Sequence, residues 1–245
     1  MKMGQHITIS VISVGIFFAL WQIAATRQWL DPLLLPSLAD GYRQVPLWQH
    51  VAVSLARALS AFSVAVILGI PLGLLMGLSE GLSAVLNPFV QFLRPLPKIA
   101  LIPLAVVWLG IGEASKFFLI FIATFLSVVV GANAAVERIG RSRIRVAQTL
   151  GASRRQIFLR VVLPDALPEL FTTIRLSVGI GWTSLIAAEM VAASSGLGWM
   201  VINASSYLRT DIVMLGILLL GGIGYLLDLL LLGLQRLFVP WAGKE

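Results

Sequence analysis

Cysteine is absent from the 245 residues, which excludes disulfides, iron–sulfur ligation and thiol catalysis together. Only two histidines occur, His6 and His50, too far apart for any metal-ligand spacing, so no metal site is expected. His6 reads as a solvated end residue and His50 as an interfacial one. Charge is scarce as well. Charged residues make up 12% of the chain against 58% hydrophobic, a balance outside that of soluble domains. No G-x-x-x-x-G-K-[ST] phosphate loop is present, because Gly243-Lys244 lacks both the earlier glycine and the hydroxyl residue. No hydroxyl nucleophile with a suitable base falls inside the apolar runs, so neither an ATPase nor a membrane-embedded enzyme is expected.

What the chain has instead is long apolar stretches, and these predict an all-α polytopic membrane protein of one domain, 1–245, with six spans. Ile7–Ala25 is the first, preferred over a signal peptide because its apolar core is too long for one. Residues 26–50 are a polar connection with an aromatic-flanked segment suited to a membrane interface. The second span is 59–78, where Gly69, Gly73 and Gly77 are four apart and mark a close helix contact, with Pro71 a source of kinking. Glu80–Asn87 reads as a turn. The third span, 88–110, is irregular, since Arg94-Pro-Leu-Pro97 opens it and Pro103 interrupts it. The fourth is 117–135. The fifth, 170–193, holds the ionisable Arg175 and Glu189 and leads into a tight turn or re-entrant scoop, Ser194–Trp199. Polar residues 203–211 precede the sixth span, 212–234, with Asp228 near its end.

Between the fourth and fifth spans stands 137–168, a loop with seven arginines at 138, 141, 143, 145, 154, 155 and 160. Such density does not sit in hydrocarbon, where each charge costs several kcal/mol, and short basic loops stay in the cytoplasm. Both termini then lie in the cytoplasm too. The net charge of +7 is explained by this topology, so nucleic acid is not an expected partner. The loop also carries order signals. Residues 142–150 read as a short helix, Gly151 stops it in the left-handed region, and Ser153 with Gln156 forms a capping box for a second helix closed by Pro164 and Pro168. The second helix is apolar on one side (Ile157, Phe158, Val161, Val162) and basic on another (Arg154, Arg155, Arg160). An amphipathic loop of this kind either sets topology or docks a cytoplasmic protein.

Here the residues resemble a family. Gly151, Val161, Leu163 and Pro164 match the E-A-A-x3-G-x9-I-x-L-P loop of binding-protein-dependent ABC importer permeases, with Arg145, Val146 and Ala147 at the first three positions. Gly69-Ile-Pro-Leu-Gly73, Arg94-Pro-Leu-Pro97, Gly110-Ile-Gly-Glu-Ala-Ser-Lys116 and Ala187-Ala-Glu-Met-Val-Ala-Ala-Ser-Ser-Gly-Leu-Gly198 resemble the nitrate/sulfonate/taurine branch. Arg143–Ser153 and Ile180-Gly-Trp-Thr-Ser-Leu185 are most similar to taurine permeases. The resemblance implies a type I importer fold in the bacterial inner membrane. It further implies two copies of this chain, a cytoplasmic ATPase dimer that binds ATP and Mg, and a periplasmic binding protein.

It implies coupling to the ATPase through Arg145, Val146, Ala147, Gln148, Thr149, Leu150, Gly151, Ala152 and Ser153. The substrate class it implies is a small organic anion or zwitterion, taurine or another sulfonate first, with nitrate, bicarbonate or a vitamin precursor as alternatives. An ion-coupled secondary transporter is the rival of a different class, but the chain shows no convincing internal repeat and few intramembrane acids. Arg175, Glu189, Ser194 and Ser195 are the candidate pathway or gate residues. Arg175 and Glu189, fourteen positions apart on one helix, stand about 21 Å apart along its axis and need separate partners. For Arg175 the choice is between snorkelling to the membrane surface and lining the path.

Overall fold

The computed structural model describes residues 12–13, 16, 19–27, 46–139 and 141–241, with only the backbone for 141 and 142. The first expected span and most of the connection after it lie outside the described residues, although residues 19–26 are helical. All regular structure among the described residues is helical. In chain order it runs α1 (Leu47–Leu78), α2 (Glu80–Leu93), a 3-10 turn (Lys98–Leu101), α3 (Ile102–Leu109), α4 (Glu113–Glu137), α5 (Arg141–Thr149) and α6 (Arg154–Ile157). A π-turn (Phe158–Val162), α7 (Leu163–Ala192), α8 (Leu197–Ser206) and α9 (Thr210–Phe238) complete it. Three of these, α1, α4 and α9, are long and apolar enough to cross a membrane, and up to five spans result if each bent pair counts as one.

The centre is the sandwich of α1, α4 and α7. Without a water-driven force between helices in lipid, close van der Waals contact has to hold them. Gly69, Gly73 and Gly77 line the side of α1 that meets α4. A Cβ at Gly73 would stand 2.5 Å from the Val129 carbonyl and 2.6 Å from Ala132 Cβ. Small, fully buried Ala58, Ala61, Ala65, Ala123 and Ala132 keep the same seam narrow. α9 sits outside this sandwich. It is attached where the buried Trp182 indole donates to the Leu220 carbonyl at 3.1 Å and where Gly216 lies against Val201 of α8.

Several boundaries differ from expectation, each for a physical reason. α1 starts at Leu47 rather than at 59, because the polar residues His50, Ser54 and Arg57 find internal partners and the helix does not break around them. Glu80–Asn87 is no turn. Ser79 accepts from the Leu82 amide and caps a helix there, and that helix has no buried residue. The third span is not one rod: α2 and the segment Lys98–Leu109 are bent by 91°, since Pro95 and Pro97 remove two backbone donors within three residues. Pro164 and Pro168 do not end the second helix of the elbow. Pro164 falls in the first turn of α7, where its missing N–H is harmless, and the π-turn before it lets α6 run on into α7. The polar stretch 203–211 is partly helix, α8, broken at Leu208 with φ 55.

Candidate functional site

Two constellations occupy opposite ends of the sandwich. At the end where α4 leaves and α7 enters, the arginine-rich loop is a rigid elbow. Gly151 has φ 77, and beside it the Ala152 amide bonds to the Ala147 carbonyl at 3.1 Å and the Gly151 amide to Gln148 at 3.0 Å. That pair of bonds is a Schellman ending, which satisfies the last carbonyls of α5 and needs a residue without a Cβ at the left-handed position. Ser153 and Gln156 cap α6 reciprocally, with 2.8 Å from the Ser153 amide to Gln156 Oε1. Ile144, Ala147 and Ala152 pack on a core of Ile139, Ile157, Val162 and Ala166. Arg138–Glu169 at 2.8 Å and Arg143–Asp165 at 2.7 Å tie the elbow back to the start of α7, each contributing at most about 1 kcal/mol at such exposure.

The outward side of the elbow is different in character. Val146 on α5 is 58% exposed and Leu150, just past its end, 82%. Arg145, Gln148 and Thr149 are exposed beside them, as are Gly151 and Ser153, and Ala152 is half-buried. A short anchored helix end thus presents two bare aliphatic side chains ringed by polar ones.

At the other end, the first turns of α1 and α4 meet the last turn of α7. Glu189 is fully buried. Its carboxylate accepts from Ser54 Oγ at 2.8 Å, Arg57 Nη1 at 2.8 Å and the Gly198 amide at 2.9 Å. Ser54 Oγ in turn accepts from the Leu197 amide at 2.8 Å, and His50 Nδ1 from the Gly196 amide at 3.2 Å. The turn after α7 is therefore wired to α1 by its own backbone. Gly196, at φ 114, leaves no room for a Cβ against the Glu189 carboxylate.

Arg57 continues the chain of bonds. Nη1 also reaches the Ser195 carbonyl at 2.7 Å, and Nε and Nη2 both reach Glu113 at 2.6 Å. Lys116 Nζ meets the same Glu113 at 3.1 Å. Two cations and two carboxylates cancel, which is what permits the burial of Arg57, Lys116 and Glu189, since an uncompensated buried charge is strongly destabilising.

The expected site residues are thus distributed between partners. Glu189 and Ser195 belong to this network, while Ser194 is exposed beside it. Arg175 is not free: Nε and Nη2 bind Asp228 of α9 at 2.8 Å each, with side chains 27% and 41% exposed. Arg57 is not in a connection, as its position before an apolar run suggests, but inside α1. His50 is buried beside Trp199, ring centroids 5.5 Å apart, instead of interfacial. Sequence reasoning passes over Ser54, Arg57, Glu113, Lys116 and Asp228. The available signal is a mismatch, because Glu189 inside an apolar span has to find a cation and Arg57 is one turn beyond Ser54, with no proline or glycine between Leu47 and Arg57.

Residues 69–244 match the family described as binding-protein-dependent transport system inner membrane component. Among curated proteins, the chain is 42% identical to the taurine transport system permease protein TauC of Escherichia coli, over 99% of this chain and 92% of that one. It is 37% identical to the putative aliphatic sulfonates transport permease protein SsuC of the same organism, over 94% and 90%. Among solved structures, a chain of the MetNI methionine ABC transporter in an inward-facing conformation superposes with a TM-score of 0.63 at 21% identity. That match covers 76% of this chain and 95% of the other, a likeness of fold.

Proposed function

The chain belongs to the binding-protein-dependent inner membrane components, the permeases of ABC importers, and from that premise we propose that its cargo is taurine or a closely related aliphatic sulfonate. As a multi-pass permease of the inner membrane, it works with a separate ATPase and a substrate-binding protein. A secondary, ion-coupled carrier is thereby set aside. The sulfonate reading is carried by the identity along nearly the whole chain to a permease named for taurine.

The finer arrangement is a proposal built on topology and charge. The whole chain, 1–245, is one transmembrane domain. The apolar run 7–25 adds a span to the up to five among the described residues, giving six, with both termini and the arginine-rich elbow in the cytoplasm. Two copies pair around the path. α5 lies in a groove of the ATPase, Val146 and Leu150 inward, so that closure of the ATPases on ATP and Mg moves the elbows. Its stiffness supports this role: a Schellman ending, a capping box and an apolar base leave little slack, so a displacement of α5 is passed to α7 instead of being absorbed. The Glu189 network and Ser194–Ser195 form the outer gate. Arg175, clasped by Asp228, stands at the path between α7 and α9.

The test is reconstitution of the complex in liposomes with its binding protein. Taurine-loaded binding protein is expected to accelerate ATP hydrolysis and to drive uptake of labelled taurine. Stimulation by nitrate or bicarbonate instead, with none by taurine or ethanesulfonate, rejects the sulfonate reading.

A further inference from the structure

The four charges at the outer gate are not equivalent. Arg57 and Lys116 have side chains only 7% and 5% exposed and Glu189 is at 0%, whereas Glu113 is 66% exposed. Glu113 is also the one that both cations share. Its two oxygens take the Nε–Nη2 fork of Arg57 and one of them takes Lys116 Nζ as well. The opposite edge of Arg57 is held independently by Glu189 and the Ser195 carbonyl.

Suppose the Glu113 carboxylate swings out into water. The buried set that remains, Arg57, Lys116 and Glu189, then carries one net positive charge, and a guanidinium fork and an ammonium still aim at one vacated point. A single buried positive charge is unfavourable until an anion returns. Planar guanidinium forks suit oxyanions in general, carboxylate or otherwise.

Resting on the sulfonate substrate and the outward orientation proposed above, we propose that Arg57 and Lys116 form an oxyanion-exchange site at the outer gate, in which Glu113 is the built-in occupant that a monovalent sulfonate displaces. The sulfonate oxygens take the fork and the Lys116 ammonium, and neutrality is restored. For a zwitterion, the displaced Glu113 carboxylate is placed to receive the substrate's ammonium, so that its two pairs with Arg57 and Lys116 are replaced by two from the sulfonate and a third with the ammonium. Glu189 stays in place throughout and keeps the 194–198 turn attached to α1. Substrate arrival is in this way linked to release of α4's first residue from α1, a loosening of the gate that only an anion triggers.

The test is equilibrium binding of labelled taurine and ethanesulfonate to the permease–ATPase complex in nanodiscs, without binding protein or ATP. Glu113→Gln removes the competing charge at nearly constant shape. It is expected to tighten ethanesulfonate about tenfold, the scale of one lost charge-assisted competitor, and taurine by less, because taurine also loses the carboxylate that receives its ammonium. Adding Lys116→Met is expected to cancel the gain. Unchanged sulfonate affinity in Glu113→Gln, with taurine transport by the unaltered complex intact, overturns the exchange site and leaves the substrate reading standing. Tightened binding of nitrate but not of either sulfonate keeps the exchange site and removes the sulfonate reading. Should Glu113→Gln fail to assemble, Glu113→Asp shortens the arm while keeping its charge. Tighter sulfonate binding is again expected, and no change again overturns the proposal.

Discussion

Arg57 of α1 and Glu189 of α7 form a 2.8 Å ion pair in which the carboxylate is wholly buried, although 132 positions separate the two residues in the chain. Glu189 is also the acceptor for Ser54 Oγ and the Gly198 amide. With Glu189 held, Ser54 and the amides of Leu197 and Gly198 have a fixed frame. With it removed, Arg57 keeps only Glu113 and Ser195.

Glu189→Ala is therefore expected to cost about 3–5 kcal/mol, the usual effect of stranding one half of a buried pair. The measurement is thermal unfolding of the purified complex in detergent. Ser54→Ala, which removes a neutral donor to the same carboxylate, is expected to cost about 1–2 kcal/mol. Equal stability of Glu189→Ala and the unaltered protein contradicts a structural role for the network.

Gly73→Leu places a side chain where even a Cβ would stand 2.5 Å from the Val129 carbonyl. Separation of α1 from α4 and loss of folded protein in detergent are expected, while Gly81→Ala, with nothing within 4 Å of its Cβ, is the silent control. Wild-type melting of the Gly73 variant would show that the seam yields more readily than its backbone contacts imply.

At the elbow, Gly151→Val has to hold φ 77 with a branched side chain, a strain of about 1–2 kcal/mol. Membrane insertion is expected to persist while co-purification with the ATPase falls. Leu150→Asp tests the same contact without touching the backbone, since this side chain is 82% exposed. Normal ATPase recovery with both variants speaks against docking through α5.

Arg175→Gln and Asp228→Asn address the second intramembrane pair. Either alone leaves one charge without its partner 2.8 Å away, and reduced stability is expected. The double neutral variant is expected to recover most of the loss. Transport separates the roles. If the double variant is stable and imports taurine normally at low concentration, the pair is a clasp between α7 and α9 and not part of the path.

The caps of the elbow are legible in the sequence because their determinants are local. A glycine at the left-handed position, a serine cap and a glutamine three residues later act over a few residues, and no distant partner is needed to make them hold. The glycine seam was readable for a similar reason, the spacing of four. The Glu189 network was not. Arg57 beside an apolar run reads as the edge of a span, and nothing nearby in sequence says that Glu113 and Glu189 will neutralise it. Asp228 likewise reads as an end residue until α9 is laid against α7.

Composition and periodicity alone settled that this chain is a helical membrane protein, since hydrocarbon tolerates so few charges that apolar runs and one arginine-rich loop determine what can be buried. Local caps decided where α5 stops and α6 begins, but not that α6 runs on into α7. Tertiary structure alone decided which charges meet, where the third span breaks into a 91° bend, and that the turn after α7 is bonded to α1. Ion pairing inside a membrane is set by three-dimensional adjacency, because a buried charge is acceptable only next to its opposite, and the chain distance between the two carries no information about that.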